Sequence, residues 1–137
     1  MRIAVDKAEL NGRPPVIEGA VCDALRIQEH WYQGQLNDPC NVVYLKLSGT
    51  WYRLYFDHGL IFWRDGDEPP EQFEAPEIEA IYKYVDLGKK LGVEGRKLTS
   101  GIIAAAHGGN SVSLTFENGI SVEFYCSFKD ETGWIAA

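Results

Sequence analysis

Apolar and polar residues alternate along three stretches of the chain, and each alternation breaks at a glycine. In "VVYLKLSGTWYRLYF" a two-residue loop Gly49-Thr50, with glycine first as a type II′ turn prefers, pairs Leu47 with Tyr52, Leu45 with Leu54 and Val43 with Phe56. The next break, "FDHGL" at residues 56–60, recurs as "FENGI" at residues 116–120. A three-residue loop Asp57-His58-Gly59 keeps the apolar set together, pairing Phe56 with Leu60 and Leu54 with Phe62. Glu117-Asn118-Gly119 does the same for Phe116 with Ile120, Leu114 with Val122 and Val112 with Phe124. Both loops need a left-handed residue in third place, and both have glycine there. Strands over 42–48, 51–57 and 60–64 therefore form an antiparallel meander with one apolar face. Its other face carries Tyr44, Lys46, Arg53, Tyr55, Ile61 and Trp63.

Elsewhere the pattern is coarser. Residues 24–32, with Leu25, Ile27 and Trp31 inward, read as a strand; so does the apolar run 100–107, bounded by Gly101, Gly108 and Gly109. Ile78, Ile81, Tyr82 and Val85 fall at helical spacing. Pro76, Glu77 and Glu79 stand at the start of that pattern, Lys83, Lys89 and Lys90 towards its end, and Gly88 or Gly92 could stop it, which predicts a helix near 77–90. "AIYKYV" within it also reads as a strand. The predicted fold is mainly β, with α+β as the alternative: an antiparallel meander curled into a half-barrel or packed against a second sheet, with about one helix.

With 137 residues, 45% of them apolar, the chain has the size of one domain that buries a core without staples. Cys22, Cys40 and Cys126 are odd in number and widely spaced, as reduced thiols of a cytoplasmic protein would be. The N-terminal residues do not resemble a signal peptide, and no apolar run is long enough to span a bilayer. A membrane partner is not expected.

The net charge of −7 is concentrated. Asp65, Asp67, Glu68, Glu71, Glu74, Glu77 and Glu79 occur without an intervening Lys or Arg, and the rest of the chain balances at thirteen acids against thirteen bases. Pro69, Pro70 and Pro76 make residues 65–76 an extended connection. Its acids Asp65, Asp67, Glu68, Glu71 and Glu74 are candidates for meeting a basic protein partner. Tyr44, Lys46, Arg53, Tyr55 and Trp63 are candidates for holding an anion or ligand, because cations held side by side among aromatic rings invite a negative group. That group is either the chain's own 65–74 segment folding back or an acidic part of a ligand or partner.

Catalytic signatures are missing: the sequence has no phosphate-binding GxxxxGK, no GxGxxG opening a helix, no HExxH and no GxSxG. "HGGN" at 107–110 reads as a turn. His30, His58 and His107 lack the spacing of a common metal site, so neither metal nor cofactor is expected. In type the chain resembles the small acidic β-rich binding and inhibitor proteins of bacteria, immunity proteins among them, a resemblance that carries over no residue. The expected function is non-enzymatic partner binding or inhibition. A small-ligand-binding β-domain and a histidine-dependent hydrolase are the alternatives. Nucleic-acid binding is not expected of a chain this acidic.

Overall fold

A computed structural model describes residues 2–3, 9–66, 68–69, 73–129 and 132–137. In chain order the strands are β1 (Arg2–Ile3), β2 (Glu9–Asn11), β3 (Cys22–Tyr32), β4 (Gln35–Leu47), β5 (Thr50–Asp57), β6 (Leu60–Gly66), β7 (Phe73–Ala75), β8 (Ala80–Val85), β9 (Leu98–Ala106), β10 (Gly109–Phe116), β11 (Ser121–Ser127) and β12 (Gly133–Ala136). One short helix, α1 (Leu87–Leu91), follows β8. The strands form two packed sheets, mainly β as the pattern predicts. A mixed sheet runs in the order β2-β6-β5-β4-β3-β8-β7, and a second runs β1-β9-β10-β11-β12, antiparallel apart from β1. Among the described residues neither sheet closes into a barrel.

The two inner faces build the core. Leu25, Ile27, Val43, Leu45, Leu54, Ile61 and Trp63 of the large sheet meet Leu98, Ile103, Val112, Leu114, Phe116, Val122 and Phe124 of the small one. Burial at roughly 25 cal/mol per Å² of apolar surface makes this alternation the main determinant of register.

The β10–β11 hairpin forms as its pattern predicts. Leu114 faces Val122 and Val112 faces Phe124, with Phe116 and Ile120 bonded across the loop and Gly119 at φ 85°. The other two hairpins differ. Leu47 pairs with Thr50 around Ser48-Gly49, whose positive φ values of 46° and 90° make a type I′ turn. The register slips by two residues from the expected one, so the inward set survives. Asp57 pairs with Leu60 around His58-Gly59, at φ 49° and 76°. That is a slip of one residue, and it reverses β6: Ile61 and Trp63 enter the core in place of Leu60 and Phe62. The indole is the largest fully buried side chain among the described residues, so its burial outweighs that of Phe62 in setting the register.

The helix expected near 77–90 is also corrected. Pro76–Ile78 form one 3-10 turn, Ala80–Val85 are strand β8, and only Leu87–Leu91 are helical. Ile81, Tyr82, Tyr84 and Val85 are β-branched or aromatic residues that favour a strand, and β8 pairs along its whole length with β3. Asp86 caps the short helix by accepting from the Lys89 amide, and Gly92 ends it at φ 70°.

A bulge in β4 shapes the site. Val42 lies opposite Gln28 and Asp38 opposite His30, so four steps along β4 match two along β3. Pro39 falls within the extra residues, where a strand tolerates a missing donor. The chain there is held against β12: Asp38 Oδ1 accepts from the Cys40 and Gly133 amides, each at 3.1 Å. A Cβ on Gly133 would lie 1.9 Å from the Cys40 carbonyl oxygen.

Candidate functional site

The outer face of the large sheet follows from the register. Where side chains alternate across a strand, opposite residues share a face. Tyr44 stands opposite Arg53 and Arg26, Lys46 opposite Trp51, Arg53 opposite Arg64, and Tyr55 opposite Phe62. Four of the five expected ligand-face residues, Tyr44, Lys46, Arg53 and Tyr55, therefore come together. Trp63 does not, because the one-residue slip turns it inward, and Ile61 goes with it. Lys46 thus faces Trp51 instead of Arg53, and Arg53 faces Arg64 instead of Trp63. Arg26, Trp51, Phe62 and Arg64 join the face unforeseen; the alternation of β3, β5 and β6 carried them, once their registers were known.

Ring and cation contacts order this surface. The Tyr55 and Phe62 rings stack 4.9 Å apart and 3° from parallel. Trp51 lies under two cations, Arg26 at 5.5 Å and Lys46 at 5.7 Å from its ring centre. Arg64 is at 5.4 Å from the Phe62 ring and donates to the Asn11 carbonyl at 3.0 Å and to Asn11 Oδ1 at 2.6 Å. Tyr44 is buried, packed edge-on to Tyr84 at 5.9 Å. Burial, then the neighbouring Tyr84, pushes its phenol up to about 12, against the opposing pull of Arg53. Gln28, also buried, donates to Tyr84 Oη at 2.8 Å and accepts from Asn41.

Arg53 stands apart from the other cations. Its Nε is buried and, among the described residues, has no hydrogen-bond partner. Among the described residues neither Arg26, Lys46, Arg53 nor Arg64 pairs with a carboxylate. Beside Arg53 the β4–β5 ladder ends at Val43–Leu54, although both strands continue. An open groove of about 460 Å³ fills the gap, lined by Asp38, Asn41, Val42, Arg53, Tyr55, Phe56 and Asp57. The one sequence signal for it was a proline inside an otherwise strand-like run.

The acidic candidates are spread out. Asp65 is exposed near the end of β6, Glu68 is exposed beyond it, and Glu74 is exposed on β7 at the opposite edge of the sheet. Asp67 and Glu71 lie outside the described residues.

The three histidines occupy separate places. His30 Nδ1 is 3.0 Å from Asn37 Nδ2, His58 is on the β5–β6 turn with Asp57 at 2.7 Å, and His107 is on the β9–β10 turn. His107 Nε2 is 2.6 Å from Glu123 Oε1 and its ring stacks on Tyr125. Among the described residues no cluster of His, Cys, Asp and Glu could hold a metal ion, and no helix is long and apolar enough to cross a membrane. Comparison with known protein families, with curated proteins and with solved structures finds no match.

Proposed function

We propose that the protein is a non-enzymatic binding or inhibitor protein that receives an acidic group of its partner on the outer face of the large sheet. One observation carries the reading: Arg26, Lys46, Arg53 and Arg64 share that face with aromatic rings and, among the described residues, with no carboxylate paired to them, in a chain whose net charge is −7. Cations held unpaired next to rings repel one another mildly and lose that cost when an anion arrives. The fixed rings also supply flat contact area at little entropic cost, as Tyr and Trp do at protein interfaces. The acidic residues Asp65, Glu68 and Glu74 are exposed and available to a basic part of the same partner. Buried, unbridged thiols at Cys22, Cys40 and Cys126 support a cytoplasmic home.

Affinity capture from the native cell tests this. A stoichiometric partner should be recovered by the wild type and lost with Arg26→Glu/Lys46→Glu, and its association rate should fall steeply with salt. Recovery of the same partner by the charge-reversed variant would contradict the reading.

A further inference from the structure

The groove beside Arg53 lies where an antiparallel ladder stops short. Bonded and non-bonded pairs alternate along such a ladder. The tight β4–β5 turn makes Leu47–Thr50 a bonded pair, which places the next bonded pairs at Leu45–Tyr52 and Val43–Leu54. Asn41–Phe56 would be the following one, and it is not formed. The bulge at Pro39 has drawn β4 away onto β12. By the same alternation the backbone amide and carbonyl of Phe56 point away from β6, into the groove. Arg53 lines that groove next to the last formed rung, Val43–Leu54, and among the described residues its buried Nε has no acceptor.

We propose that this groove binds the C-terminal end of an extended peptide, with Arg53 taking the terminal carboxylate and Phe56 supplying backbone hydrogen bonds to the residues before it. The assignment rests on the anion-binding reading of the face and narrows its ligand. A guanidinium is built for the forked, planar acceptor that a carboxylate offers. A strand edge beside it recognises the backbone of an extended chain, whatever its sequence. The unpaired stretch of β5 covers about three residues of such a chain, at about 3.3 Å each. Its orientation is fixed as well. A carboxylate at Arg53 makes the peptide antiparallel to β5, so its upstream residues approach Asp57 and Asp38 on the rim. Those two acids repel a second anionic group and favour a basic residue shortly before the C-terminus.

The test uses fluorescein-labelled random pentapeptides with a free C-terminal carboxylate, and the same pool with a C-terminal amide. Fluorescence polarisation should show the free-acid pool binding at least about tenfold more tightly than the amidated pool. Arg53→Gln should remove that preference, while Lys46→Gln, on the same face outside the groove, should leave it. In wild-type protein the Phe56 and Asn41 amide resonances should shift when the free-acid pool is added, a readout that does not depend on a variant folding. Equal binding of both pools, or a preference that survives Arg53→Gln, overturns the groove assignment. So does no binding of either pool. Hexaglutamate binding to the rest of the face is a separate measurement, and its loss with Arg26→Glu/Lys46→Glu would leave the wider reading standing even then.

Discussion

Trp63 and Phe62 are adjacent, similar in character, and opposite in fate. Trp63 is in the core at 1% exposure while Phe62 stacks on Tyr55 outside. Trp63→Ala should therefore cost about 3–5 kcal/mol, and Phe62→Ala only about 1 kcal/mol, read as shifts of the urea midpoint at constant slope. The reverse order would restore the register with Phe62 inward. At alkaline pH, buried acids that stay neutral tie stability to pH. Burial pushes the Cys22 thiol from 9.0 up to about 12, with Asp23 and Glu94 adding to it, and raises the Tyr44 phenol from 10.0 to about 12. Both pKa values are raised in the folded state, so their contribution is intact below pH 9 and is lost as pH rises through about 12. Stability should thus decline through that window, and Tyr44→Phe should flatten the part between pH 10 and 12 in chemical denaturation series. An unchanged slope in that variant would exclude Tyr44 as the source.

Among the elements, hairpins and bulge make distinct demands. Gly59 and Gly119 both have positive φ, and nothing stands within 4 Å of a Cβ built on Gly119. Gly119→Val should cost about 1–2 kcal/mol through backbone strain alone. Gly59→Val should cost at least as much, because its Cβ would also touch Phe128 at 3.4 Å. Gly133→Ala tests the closure of β12 on the bulge: with 1.9 Å to the Cys40 carbonyl oxygen, the strand must move, and thermal unfolding should shift by more than for either turn variant. A neutral Gly133→Ala would mean that β12 does not press against Cys40. How far these elements could be read in advance depended on contrast. The β10–β11 hairpin alternates cleanly, with Ser113, Thr115, Ser121 and Glu123 against Val112, Leu114, Val122 and Phe124, so a wrong register would bury polar groups. In "LIFW" at 60–63 every residue is apolar, both registers bury a plausible set, and only the facing sheet decides between them. Residues 78–85 satisfy the helical and the alternating period at once, and pairing with β3 settled the matter. The groove was least legible, since a missing rung is a relation between three strands and leaves no periodic trace.

Over the whole molecule, an acidic chain gathers cations and aromatic rings on one sheet face. The excess negative charge comes from residues 65–79, whose described acids Asp65, Glu68 and Glu74 stand apart in the structure, whereas four cations are set among rings on one sheet face. If the acids serve a partner, Asp67→Lys/Glu68→Lys/Glu71→Lys should slow association and lower stability by less than about 1 kcal/mol. A loss above about 2 kcal/mol in thermal unfolding would make that segment a clamp for the protein's own fold. The most direct measurement is an amide chemical-shift titration of the ¹⁵N-labelled protein with hexaglutamate, at low and at high salt. The account predicts salt-sensitive shifts confined to the outward positions of β3, β4, β5 and β6 around Arg26, Lys46, Arg53 and Arg64. Shifts that centre on another surface, or none at millimolar peptide in low salt, would contradict it.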